Sequence, residues 1–325
     1  MSSRKLIIDC DPGQDDAITL LLALASPELE VLGVTTVAGN VPLALTQRNA
    51  RLVCELAGRD DVRVYAGCSR PMVRKLITAE AVHGNSGIDG MEIREPRAEL
   101  QGQHAVDFIV ATLMASADDS VTLVPTGPLT NIATAMAREP AILSKVREIV
   151  LMGGAMREGG NTTPSAEFNM LVDPHAAHLV FGCGRPIVAM GLDVTHQVLA
   201  TPPRIERIRA LNHDVARAVC GMLTAFNRHD VSKYGSEGAP LHDPCTIAWL
   251  LRPETFEVKA CNVAVEIHSE LTMGHTAVDF WHVSGRPPNA RWAYAVDSEA
   301  FYDLLVGRLA RYGRWNEAGR SSSTV

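Results

Sequence analysis

Leu6-Ile7-Ile8-Asp9-Cys10-Asp11-Pro12-Gly13-Gln14-Asp15-Asp16 decides how this 325-residue chain is read. A short apolar run ends in four carboxylates within eight positions, broken by Pro-Gly and followed by the apolar stretch 17–25. The run predicts a buried strand over 6–10, and the stretch after Gly13 predicts a helix over 14–25. Four carboxylates held so close repel one another. A helix N-terminus relieves one or two by capping and by its dipole, at about 0.3–1 kcal/mol each, but not all four. A cation is the missing partner, and hard oxygen donors without a thiolate or histidine pair point to Ca²⁺ or Mg²⁺. The plainer alternative is an N-cap with a solvated acidic turn. The loop also sits at the carboxyl end of a first strand, where open α/β sheets bind ligands.

Outward from this loop the strand–helix alternation continues. Strands are expected over 31–37, 62–65, 121–124, 149–152 and 187–190, with helices over 43–57 and 105–115 and after Pro128 and Pro174. This is the rhythm of parallel βαβ units. The region 202–251 reads as helical, 256–296 alternates apolar and polar residues as hairpin strands do, and a last helix is expected over 298–311. The predicted fold class is therefore α/β: an open, mainly parallel sheet with a Rossmann-like core and a C-terminal antiparallel addition. No linker marks a boundary, so a single domain over 1–325 is expected, with the low-complexity tail 316–325 frayed.

Composition narrows the class without choosing within it. A net charge of −7 and 5% aromatic residues argue against a nucleic-acid-binding face, and 46% hydrophobic residues suffice for a large core. The apolar runs are too short for a signal-peptide core or a membrane span. Seven scattered cysteines without a C-x-x-C pair argue against a disulfide framework and a thiolate zinc site, so a reducing cytoplasm is expected.

Further polar clusters interrupt the apolar chain. Asn40 reads as a turn residue or a ligand group, Thr126 as an N-cap or a site residue, and His83 as a surface histidine or a base contact. Asn161-Thr162-Thr163-Pro164-Ser165-Ala166-Glu167-Phe168-Asn169 offers two amides, a carboxylate and a ring, a set suited to ribose hydroxyls and an attached base. Asp243, before Pro244, is an N-cap or a further metal ligand, and His242 beside it a proton donor. His175 and His178, three apart without a third ligand, are read as structural.

An Asp-x-Asp after a first strand also opens phosphatases with an aspartyl nucleophile, although those resemble D-x-D-G-T, and no glycine cradle for phosphates is present. Taken together the motifs resemble the nucleoside hydrolase family, its inosine–uridine-preferring and pyrimidine-specific ribonucleoside hydrolases. Asp9 to Asp16 looks like the family's D-x-D-P-G-x-D-D loop. Val37-Ala38-Gly39-Asn40, Pro125-Thr126-Gly127-Pro128-Leu129-Thr130-Asn131, Glu167-Phe168-Asn169 and His242-Asp243-Pro244 follow in the family's order. The resemblance implies Ca²⁺ held by Asp11, Asp16, Asp243 and the Thr126 carbonyl. It implies ribose binding by Asp15, Asn40, Asn161, Glu167 and Asn169, with His83, His242 and Phe168 toward the base.

The implied reaction is hydrolysis of the N-glycosidic bond to ribose and free base, in nucleoside salvage. Asp11 would take the proton of the attacking water and His242 would protonate the base. Relatives are dimers or tetramers, so a homodimer or homotetramer is expected. The pocket helix carries Tyr234, but Phe226 and Asp230 depart from the tyrosines of nonspecific relatives, and the reading leans to uridine and cytidine. A nonspecific inosine–uridine hydrolase is the nearest alternative. An aspartyl phosphatase and a non-catalytic calcium- or riboside-binding protein are the more distant ones.

Overall fold

The structure, a computed structural model, describes residues 3–234 and 237–313, with the side chains of 228–234 left aside. The tail 316–325 and the side chain of Tyr234 lie outside the described part. Among these residues nine strands form one sheet: β1 (Arg4–Cys10), β2 (Leu29–Thr36), β3 (Val64–Ala66), β4 (Val121–Pro125), β5 (Val146–Met152), β6 (Ile187–Met190), β7 (Phe256–Val265), β8 (Thr276–Asp279) and β9 (Ala290–Val296), in the order β3-β2-β1-β4-β5-β6-β9-β7-β8.

The first six strands in this order run parallel, as their apolar composition and intervening helices predict. The C-terminal strands differ in one detail from a simple antiparallel addition. β9 pairs parallel to β6, with Val188 opposite Arg291, and only then do β7 and β8 continue antiparallel. Alternating hydrophobicity reports which side chains face inward but not which neighbour a strand chooses.

Strand alternation divides the core in two. Leu6, Ile8 and Cys10 of β1 point with Val124, Val150 and Val188 into one layer, while Ile7 points with Leu123, Ile149 and Ala189 into the other. The first layer holds helix Gln14–Leu24, buried along its whole length against Leu43–Leu56, Asp214–Tyr234, Pro244–Leu251 and Ser298–Leu309. A helix enclosed all round needs no polar face, which is why this segment reads as nearly continuous apolar sequence. Its burial also fixes the acidic loop at its N-terminus.

Chain order reverses between β1 and β4, the switch point at which an open α/β sheet leaves a crevice beyond its carboxyl edge. Asp11 follows β1 there and Thr126 follows β4. Among the described residues no helix is long and apolar enough to cross a membrane.

Candidate active site

The carboxyl edge of the switch point forms the floor of a cavity of about 630 Å³, within the range of small-molecule sites. Asp15 lines the floor from the first turn of helix Gln14–Leu24 and Asp243 from the residue before helix Pro244–Leu251, with Asp16, next to Asp15 in the chain, fully buried beside them. Carboxylate oxygens of these three buried residues lie within 4.8 Å of one another.

Asp243 stands in the N-cap position, but its side chain makes no capping bond; it is turned to the cluster instead. Thr126 likewise caps nothing, because the helix after Pro128 begins at Thr130 with Leu129 as its cap. Its hydroxyl donates to Asp16 Oδ1 at 2.7 Å, and its carbonyl accepts from Asn169 Nδ2 at 2.7 Å. Asn40 is more than a turn residue: its backbone N–H donates to Asp11 Oδ2 at 2.6 Å, and its side chain to the Asp11 carbonyl at 3.1 Å and Asp16 Oδ2 at 3.3 Å.

Asp11 lies beside the cluster, clasped between Gly39 and Gly127, where a Cβ at either position would collide with its carboxylate. Both loops therefore need glycine for close approach rather than for turning. Asp11 Oδ1 and Asp15 Oδ1 are buried without a hydrogen-bond partner. Burial, then repulsion from Asp16, raises the Asp11 carboxyl well above its ordinary range and the Asp15 carboxyl to about 7. Burial raises Asp16 too, and Asp243 is pushed well up by burial and by Asp15, Asp16 and Asp11 in turn. Orphaned buried oxygens among carboxylates that resist ionising together are what a hard cation satisfies. The residues present thus fit a divalent metal ion.

Asp9, the first carboxylate of the loop, does not join this group. It accepts at Oδ1 from Thr35 Oγ1 (2.6 Å) and Asn131 Nδ2 (2.8 Å) and tethers β2 and the helix after β4 to β1. Burial raises it to about 7. Enclosed below the floor, it is not placed to attack a phosphate.

The predicted ribose loop lines the same cavity with Asn161, Glu167, Phe168 and Asn169. Glu167 caps helix Phe168–Val172, accepting from the N–H groups of Asn169 (2.9 Å) and Met170 (3.2 Å) and from Gly154 N–H at 2.9 Å. Burial still raises its carboxyl. Asn161 Oδ1 accepts from Phe168 N–H at 3.0 Å, which closes the loop on itself.

His83 and His242 also face the cavity. His83 is buried, with Nδ1 at 2.6 Å from Gln14 Oε1 and its ring stacked on Phe226 at 5.6 Å. His242 Nδ1 pairs with Thr195 Oγ1 at 2.8 Å, and burial, then His196 and His83, drives its imidazole well below the usual range. His175 and His178 lie on helix Pro174–Phe181 and do not line the cavity. Among the lining residues that sequence reasoning missed are Glu158, His196 and Leu199. Glu158 comes from the loop after β5 and His196 and Leu199 from one segment after β6, and nothing in their local sequence signals the meeting.

The cavity thus brings together an acidic floor at the switch point, the 161–169 loop and the histidines His83, His196 and His242. The chain belongs to the inosine–uridine preferring nucleoside hydrolase family, whose model matches residues 6–303. It is an enzyme that hydrolyses N-glycosyl compounds, with a small-molecule nucleoside as substrate.

Among its relatives, an uncharacterized protein of Schizosaccharomyces pombe is 50% identical over 94% of this chain and 99% of its own length. The pyrimidine-specific ribonucleoside hydrolase RihA of a Shewanella species is 49% identical over 95% of this chain and 97% of its own. Among solved structures, a purine-preferring ribonucleoside hydrolase from Gardnerella vaginalis superposes with a TM-score of 0.89 at 32% identity, covering 95% of this chain and 99% of that one.

Proposed function

We propose that the chain is a Ca²⁺-dependent ribonucleoside hydrolase that prefers pyrimidine nucleosides and serves nucleoside salvage. The observation that carries this reading is the buried carboxylate cluster of Asp15, Asp16 and Asp243 beside Asp11, at the foot of a cavity whose wall is the Asn161–Asn169 loop. Asp11, Asp16, Asp243 and the Thr126 carbonyl are the oxygen donors assigned to Ca²⁺, with Asp15 at the same floor. All are hard ligands of the kind Ca²⁺ takes. When bound, the ion supplies positive charge to the cluster and activates water as a Lewis acid.

The remaining chemistry is that of the chain's own residues. Cleavage of a C–N glycosidic bond builds positive charge on the ribose, and a fixed array of carboxylates and amides stabilises it. Asp15, Asn40, Asn161, Glu167 and Asn169 supply that array and accept from or donate to the sugar hydroxyls. Glu167 is held by three backbone N–H groups and does not need to reorganise during reaction. Asp11, with one oxygen on Asn40 and the other without a partner, accepts the proton of the attacking water. His83, His242 and Phe168 face the base, and His242 gives the departing base a proton.

Base preference rests on the wall and on kinship. Phe226 under His83 offers no hydroxyl to a purine, and the RihA relatives are named as pyrimidine-specific. A cavity of about 630 Å³ admits either base, so volume does not favour one. The structural relative named as purine-preferring stands further off in sequence. The same reading takes the enzyme as a cytoplasmic homodimer or homotetramer, with the exposed Leu271, Trp281 and Val283 as apolar side chains for a second copy to cover.

Free ribose measured after incubation with uridine, cytidine, inosine and adenosine in the presence of calcium tests the proposal. Fastest release from uridine or cytidine is expected. No release from any of the four overturns it, and faster release from inosine overturns the base preference alone.

A further inference from the structure

The roles above leave one ionisable pair of the cavity wall unused. Glu158 Oε2 meets His196 Nδ1 at 3.0 Å, and both residues line the cavity. Their meeting is built into the fold. His196 closes the short helix Leu192–Thr195, with its N–H on the Leu192 carbonyl at 3.0 Å. Asp193 of that turn reaches back to the loop after β5 and accepts from the N–H groups of Met156 at 2.8 Å and Arg157 at 2.7 Å. Residue 158 is therefore tethered by the turn that carries His196. Gln197 fastens the same turn from the other side, donating to the carbonyls of Asp193 at 2.6 Å and Tyr294 at 2.9 Å. Arg157, the cation next to Glu158 in sequence, is engaged over the Phe280 ring at 4.9 Å.

This turn also positions the neighbouring imidazole. Thr195 holds His242 Nδ1, and the His242 and His196 rings lie 5.7 Å apart at 59°. The two rings differ in their partners. His242 has a hydroxyl on Nδ1 and histidines around it, whereas His196 has a carboxylate and a half-buried ring in reach of solvent. Because an ionised carboxylate only accepts, His196 Nδ1 carries a hydrogen, and a proton taken up from solvent enters at Nε2.

We propose that His196, oriented by Glu158, is a second proton donor to the departing base, acting beside His242. The proposal rests on the nucleoside hydrolase reading of this site. As the C1′–N bond breaks, its electron pair moves onto the base, which takes up one proton per turnover; by this route that proton is the one on His196 Nε2, in place of the one from His242. The neutral imidazole that remains is reprotonated from solvent. The attacking water forms the C1′–O bond and gives its proton to Asp11.

A substrate whose leaving group needs no proton separates this role from a structural one. Uridine and p-nitrophenyl β-D-ribofuranoside are compared on the full chain and on His196→Phe, which keeps a ring without a donor, and Glu158→Gln. His196→Phe is expected to lower kcat/KM for uridine about tenfold or more and for the aryl riboside less than about twofold. Glu158→Gln is expected to give a smaller loss in the same direction. Equal losses on both substrates, or no loss on uridine, overturn the proposal. Absence of ribose release from uridine by the unmodified chain overturns it too, but at the level of the site's reaction, which the unmodified rate shows separately from the variant ratio.

Discussion

The cavity has two sides built on different principles. Its floor comes from the ends of β1 and β4, the first turn of a wholly buried helix and the start of helix Pro244–Leu251, which bring Asp11, Asp15, Asp16 and Asp243 together, with Gly39 and Gly127 leaving room for the Asp11 carboxylate. The rest of the lining gathers His83, Glu158, His196, Phe226 and His242 from five separate segments, joined by side-chain pairs: His83 with Gln14, His242 with Thr195 and His196 with Glu158. In the function proposed above, the floor serves what every nucleoside shares, the ribose and the scissile bond, and the remaining lining serves what differs, the base. Changes to the floor should therefore abolish the reaction, and changes to the wall should redistribute it among substrates.

The largest break is expected from Asp11→Asn, which keeps the shape and the Asn40 contact but removes the proton acceptor. Turnover on every nucleoside should fall by about a thousandfold or more, with the far-ultraviolet circular dichroism spectrum unchanged. Comparable activity in this variant would remove Asp11 from the role given to it. Gly127→Ala comes next. Its Cβ displaces the Asp11 carboxylate, so kcat should drop about a hundredfold on pyrimidine and purine nucleosides alike, a uniformity that steady-state rates on both would reveal. A wall change behaves differently. Phe226→Ala removes the ring beneath His83 and should raise KM by about tenfold or less, by unequal factors for uridine and inosine; equal factors would show that the wall does not read the base.

The smallest effect separates Asp9 from its neighbours. Burial lifts Asp9 to about 7 from 3.8, so between these values the folded chain binds more protons than the unfolded one. Stability then falls as pH rises from about 4 to about 7, by at most about 1.4 kcal/mol per pH unit from this group. In metal-free protein, Asp9→Asn should flatten that slope in urea unfolding followed from pH 4 to 7. An unchanged slope would place the titration elsewhere.

The same contrast explains what the sequence disclosed. Buried parallel strands read as continuous apolar runs, so the βαβ rhythm was legible from residue 6 onward, and the carboxylates of the floor were legible because repulsion makes them improbable without a partner. Thr126, Asn40 and Asp243 each had an ordinary local explanation, and only their contacts exclude it: no capping bond at Asp243 or Thr126, and Asn40 bridging Asp11 and Asp16. The parallel entry of β9 beside β6 was hidden because alternation encodes faces and not neighbours. The pair of Glu158 and His196 was hidden more deeply, since it depends on Asp193 joining two turns 36 and 37 residues apart in the chain.

Calcium dependence is the claim on which floor and wall both rest. Protein stripped with a chelator and returned to buffer at pH 7 should release almost no ribose from uridine, and titration with Ca²⁺ should restore the rate along a saturating curve while raising the thermal midpoint. Full activity in the presence of excess chelator, with no thermal response to added calcium, would contradict the account.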